Sequence, residues 1–146
     1  MNPNPRHILI HPGEEALVIE VICRQLNDGE QVAELCDEIL RTMQQLQPLC
    51  VILDLRNVQS LGSVALFPFI EIRSAAERAG RRVVLCNVAA AVALVLTVSQ
   101  LIVENREHAH HLVLTEDIPA ALEWFRRGDS ASRHADQRTD SFAQPA

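Results

Sequence analysis

The chain contains no lysine. All 13 of its basic residues are arginines, set against 19 acidic residues for a formal charge of −6. Without a lysine amine there is no Schiff-base chemistry and no phosphate-binding loop of the Walker type. The negative balance repels a phosphate backbone, so nothing in the charge argues for direct nucleic-acid binding. Long hydrophobic runs are also missing. The most apolar stretch, NVAAAVALVLTVSQLIV, falls short of the usual spanning length, and MNPNPRHILI lacks the apolar core of a signal peptide. Neither membrane insertion nor secretion is expected, and the reading is cytoplasmic. No Gly-x-Ser-x-Gly elbow surrounds any serine, and no nucleophile, base and orienting acid converge in the sequence. An enzyme is therefore not expected.

What is present is an ordinary one-domain chain of 146 residues, with 48% hydrophobic and 22% charged content. The four cysteines, Cys23, Cys36, Cys50 and Cys86, are widely spaced among apolar neighbours, as buried free thiols are. None has an evident neighbour that would lower its pKa. Three histidines crowd HAHHL, and His108 and His110 would share a strand face. No cysteine or carboxylate stands at a matching spacing, so no metal site is expected.

Two short β-branched runs, residues 7–10 and 16–22, flank the turn-forming HPGEE and read as a hairpin. Asn27 with Glu30 three residues on reads as a capping box. It opens an amphipathic helix on Val32, Leu35, Ile39, Met43 and Leu46, ended by Pro48. The acidic face of Glu30, Glu34, Asp37 and Glu38, with Arg41, reads as solvated. LCVILDL is continuously apolar, the mark of a strand covered on both faces. A helix over roughly 64–79 ends at Gly80. RRVVLCNV reads as a strand, AAAVALVLTVSQL as a helix and HHLVL as an edge or final strand. The last helix, in DIPAALEWFRR, has Asp117 as its cap and Pro119 in its first turn.

This order, β-β-α-β-α-β-α-β-α, predicts an α/β domain over residues 1–127. Its central sheet would be mixed and mostly parallel, with four to five strands and about four helices. Residues 128–146 are small and polar apart from Phe142, and are expected to form a disordered tail. Between the LCVILDL strand and the helix that follows stands Gly62-Ser63. Propensity alone reads Ser63 as the N-cap of that helix. An exposed hydroxyl at such a turn is also well placed to accept a phosphate, since free N–H groups and the helix dipole would hold it.

Strand VILDLRNV, turn QSLGSVAL and the later GRRVVLCNV and VSQL together resemble the STAS domain of anti-sigma-factor antagonists, over roughly residues 7–125. Asp54-Leu55, Asn57-Val58 and the turn carry most of the likeness. The resemblance implies a STAS-like fold without cofactor. It implies that Ser63 falls on the hydroxyl that an anti-sigma factor with a histidine-kinase-like ATPase fold phosphorylates, with a serine phosphatase as a further partner. Asn57, Gly62, Ser63, Val64, Leu66 and Phe67 would form the partner-binding surface. Gly62 stands where better-studied members carry Asp, and Pro68 lies five residues into the expected helix. STAS-like domains also serve as scaffolds of signalling assemblies or as accessory subunits of transport complexes. A small-molecule-binding module is a further reading of the same fold.

Overall fold

The computed structural model describes residues 7–98 and 113–127. The hairpin is present: β1 (Ile8–His11) pairs antiparallel with β2 (Leu17–Val21), from Ile8 opposite Val21 to His11 opposite Val18. Strands β4 (Cys50–Asp54), β6 (Arg82–Cys86) and β7 (Val113–Thr115) then add in parallel, giving the order β1-β2-β4-β6-β7. Each parallel step is bridged by a helix: α1 (Gly29–Leu46), α2 (Leu66–Arg78) and α3 (Ala90–Val98). A final helix, α4, covers residues 118–127. The expected mixed sheet of four to five strands is thus a five-stranded one.

Alternation along β4 sorts the core into two layers. Val51 and Leu53 join Ile19, Val83 and Leu85 beneath α1, α2 and α3. Cys50 and Ile52 join Val84, Cys86 and the α4 residues Ala121 and Phe125 on the opposite face. All five β4 residues are buried, which accounts for the continuous apolar run.

A second, two-stranded parallel sheet was not expected. It pairs β3 (Gln25–Leu26) with β5 (Ser60–Leu61). Strands of two residues leave no periodicity to read.

Three local expectations need correction. The cap of α1 is Asp28, whose carboxylate accepts the Glu30 N–H at 3.1 Å, and not Asn27. Asp and Asn cap equally well, so backbone path decides between neighbours. Leu46 continues the apolar spacing but is 53% exposed at the last residue of α1, where the buried face ends at Met43. The helix then stops at Gln47, which turns left-handed with φ 50° and donates its N–H to the Met43 carbonyl, one residue before Pro48. The expected helix over 64–79 divides into a single 3₁₀ turn, Ser63–Ala65, followed by α2. Pro68 gives the reason. Starting the α-helix at Leu66 puts proline third, where its missing N–H lies among the four that an α-helix leaves unpaired anyway.

The remaining ends follow the sequence. Gly80 takes φ 69° after α2, and the N–H of Arg81 returns to the Ala76 carbonyl at 2.8 Å. Asp117 caps α4 by accepting the Ala120 N–H at 2.9 Å. At its other end α4 is tied to the β1–β2 turn by Arg126, which donates to both Glu15 carboxylate oxygens at 2.9 and 2.8 Å. Residues 128–146, and with them the expected tail, lie outside the described residues, as do His108 and His110.

Candidate functional site

Past Asp54 the chain leaves the sheet and reaches Ser63 in nine residues, and each step of that path is held. Asp54 is 1% exposed. Burial alone would raise its pKa. Hydrogen bonds from the Arg56 guanidinium (Nε, 2.8 Å), the Asn87 amide (3.0 Å) and the Arg56 backbone N–H (3.1 Å) outweigh this and hold the carboxyl below the usual range. Asn57 is half-buried and its amide is committed inward, donating to Glu20 Oε2 at 2.9 Å and to the Val21 carbonyl at 3.1 Å. It fixes the loop after β4 onto β2.

The next segment is bolted to residues 24–26. Gln59 and Ser60 donate their N–H groups to the Arg24 carbonyl, and Gly62 donates to the Leu26 carbonyl at 2.9 Å. Gly62 then occupies the cap position of the 3₁₀ turn, with φ −91° and ψ 170°, and has no side chain to contribute a bond. Ser63 is therefore the first residue of the turn and not its cap. Its carbonyl accepts the Leu66 N–H, and α2 itself begins after Ala65 with no side-chain cap at all.

The arrangement presents a surface. Ser63 is exposed, Val64 is 43% exposed and Phe67 is 76% exposed, while the intervening Ala65 is fully buried and Leu66 packs against the core. An exposed serine is thus followed at the start of α2 by two exposed apolar residues, Val64 and Phe67. Of the six residues in the expected partner surface, Gly62, Ser63, Val64, Leu66 and Phe67 lie along the 3₁₀ turn and the start of α2, interrupted by the buried Ala65 and with Leu66 turned partly into the core. Asn57 stands apart, on the inner side of the loop. Sequence reasoning counted Asn87 only toward the family likeness and gave it no structural role; its left-handed backbone (φ 54°) and amide bond to Asp54 join the ends of β4 and β6. An asparagine directly after an apolar strand was the available signal, since Asn tolerates that conformation better than most residues.

The four cysteines are free and buried. Burial, reinforced by the negative charge of Glu71 and Asp54 respectively, pushes the Cys36 and Cys86 thiols up to about 12. Cys23 does have a neighbour that the sequence did not reveal, the His7 Nδ1 at 3.6 Å, and His7 Nε2 in turn lies 2.9 Å from Glu34 Oε2. Burial and the nearby Glu38 raise the Cys23 thiol, so this chain of contacts does not activate it. Among the described residues no cluster of His, Cys, Asp or Glu is arranged to hold a metal, and no helix is long and apolar enough to cross a membrane.

Comparison with known proteins places this geometry. A variant of RsbS from Moorella thermoacetica has the same fold, with a TM-score of 0.66 at 17% identity over 86% of this chain and 99% of its own. A STAS domain protein from Planctomyces limnophilus gives 0.63 at 21% identity, covering 79% of this chain and 93% of its own. The anti-sigma factor antagonist SpoIIAA in its unphosphorylated form gives 0.57 at 14% identity, over 82% and 98%. No curated protein matches by sequence. The family model for the STAS domain matches residues 25–115, more than half of the chain and the whole path from β3 through the Ser63 turn to β7. The chain belongs to the STAS domain family.

Proposed function

We propose that the chain is a non-enzymatic regulatory switch of the anti-sigma-factor-antagonist kind, acting in the cytoplasm. The start of α2 would dock on an anti-sigma factor with a histidine-kinase-like ATPase fold. That kinase would phosphorylate Ser63, and a serine phosphatase would reset it. One observation carries this reading: the exposed Ser63 opens a turn anchored by the β3–β5 pairing, and two exposed apolar residues, Val64 on the turn and Phe67 in the first turn of α2, follow it within four positions. The exposed apolar side chains of Val64 and Phe67 would supply contact area beside the hydroxyl. A phosphate adds about −1.5 to −2 charges in the middle of that contact. Attraction would then become repulsion and desolvation cost, which is the physical content of a reversible switch.

The test uses purified chain, the histidine-kinase-like partner and ATP. Mass spectrometry is expected to find one phosphate, on Ser63, and none in Ser63→Ala. Ser63→Asp is expected to weaken association by at least tenfold, about 1.4 kcal/mol, with Ser63→Ala close to the unaltered chain. A partner that binds and hydrolyses ATP yet leaves Ser63 unmodified would overturn the switch. Equal binding by the Asp and Ala variants would overturn it as well.

A further inference from the structure

We infer that Asn27 is the positioning residue of the Ser63 turn, and that Gly62 is glycine because Asn27 occupies the space a side chain would need. The inference deepens the proposed switch and rests on it for its consequence, though not for its geometry. The backbone of Gly62 is extended, a conformation any residue adopts, so no conformational demand calls for glycine there. The demand is spatial. A Cβ on Gly62 would lie 3.1 Å from Asn27 Cβ, 3.3 Å from Asn27 Cα and 3.6 Å from the Leu26 carbonyl oxygen. The first two distances are tighter than ordinary carbon contacts.

Neither neighbour can retreat freely. Leu26 is fully buried and paired with Leu61, Gly62 donates to Leu26, and Asp28 is fixed as the cap of α1. Asn27 is therefore clamped between a strand and a helix cap, and its Cα and Cβ form the floor on which the turn rests. With Asn27 clamped in this chain, a Cβ on Gly62 is accommodated by a shift of a few tenths of an ångström in the turn, and Ser63 moves with it. A displacement of a fraction of an ångström at a phosphoacceptor lowers the rate of transfer, because the hydroxyl must meet its donor in line. It also follows that the partner reads a turn with no side chain before the serine. Its complementary surface can come close to the backbone at that point.

The test combines Gly62→Ala with two changes at Asn27. Asn27→Gly removes the opposing Cβ, whereas Asn27→Ala retains it. In Gly62→Ala, hydrogen exchange at the amides of position 62 and of Leu66 is expected to speed up by about tenfold or more, as the bond to Leu26 lengthens. The kcat for phosphorylation of Ser63 should fall by a similar factor. Adding Asn27→Gly should bring both within about threefold of the unaltered chain. Adding Asn27→Ala should not. Unchanged exchange in Gly62→Ala would overturn the inference, as would equal rescue by Ala and Gly at Asn27. Restored exchange without restored phosphorylation would also overturn it, by showing that the turn's position does not govern the reaction. If the unaltered chain gains no phosphate, the proposed switch fails and the exchange arm alone decides the role of Asn27.

Discussion

The Asn87 side chain reaches across from the end of β6 to donate its amide to the Asp54 carboxylate at the end of β4, 3.0 Å away. On its other side Asp54 holds the Arg56 guanidinium, with Nη2 2.6 Å from Oδ2. A buried carboxylate thus serves as the common acceptor for the loops that leave two neighbouring strands.

Asp54→Asn should destabilise the fold by about 1–3 kcal/mol at neutral pH, since three part-buried donors lose their buried, charged acceptor. The pH dependence has a definite sign. Because the folded carboxyl is held below its ordinary range, its contribution is complete above about pH 4 and is lost as pH falls through the folded value. Denaturant unfolding of both chains should therefore show a gap at pH 7 that narrows below pH 4. A gap that widened in acid would show that the carboxyl is not ionised in the fold.

Gln47 adopts a left-handed conformation that costs a residue with a Cβ roughly 1–2 kcal/mol. Gln47→Gly should relieve it. Glycine also loses more entropy on folding, so the net gain expected is about 0.5–1 kcal/mol, seen as a higher denaturation midpoint with an unchanged slope.

Ser63→Ala should be nearly silent in stability, within about 0.5 kcal/mol, as for an exposed residue without a cap bond. A loss of about 1 kcal/mol or more, the usual worth of a cap, would mean that the hydroxyl pairs with the turn in solution.

Phe67→Ser tests the apolar half of the surface. With 76% of the residue exposed, the substitution should leave thermal unfolding almost unchanged. Binding to the kinase-like partner should weaken by at least tenfold, about 1.4 kcal/mol, if Phe67 anchors the contact. Binding within twofold would move the interface elsewhere.

The buried thiols should be inert. With Cys36 and Cys86 pushed up to about 12, roughly one thiol in ten thousand is ionised at pH 8. Disulfide reagents should label the native chain slowly and all four cysteines quickly after unfolding.

How far the sequence was legible depends on whether a feature is periodic or depends on contact. Val32, Leu35, Ile39 and Met43 repeat at helical spacing, and all four are buried as read. The β4 run and the Asp117 cap were equally plain. The Ser63 turn was located correctly but its role at the helix start was not. A cap preference is statistical, and Pro68, five residues on, set where the α-helix could begin. The β3–β5 pair was invisible because two residues show no alternation. Cys23 and His7 meet only through the hairpin, at a separation of 16 residues, which no local pattern encodes. The floor beneath Gly62 was hidden for the same reason: the glycine is visible in the sequence, but the reason for it lies 35 residues away in Asn27.

The segment matched by the family model ends at Thr115, while the helix that covers the second core layer begins at residue 118. Cut at the family boundary, the sheet would turn Ile52, Val84 and Cys86 to water, because Ala121 and Phe125 cover them in the whole chain. The hairpin strands would be lost from the other side of β4 as well. The matched segment alone is therefore not expected to fold as a unit. Expressed alone it should bind a reporter of exposed apolar surface and precipitate, whereas a chain running through Arg127 should stay monodisperse.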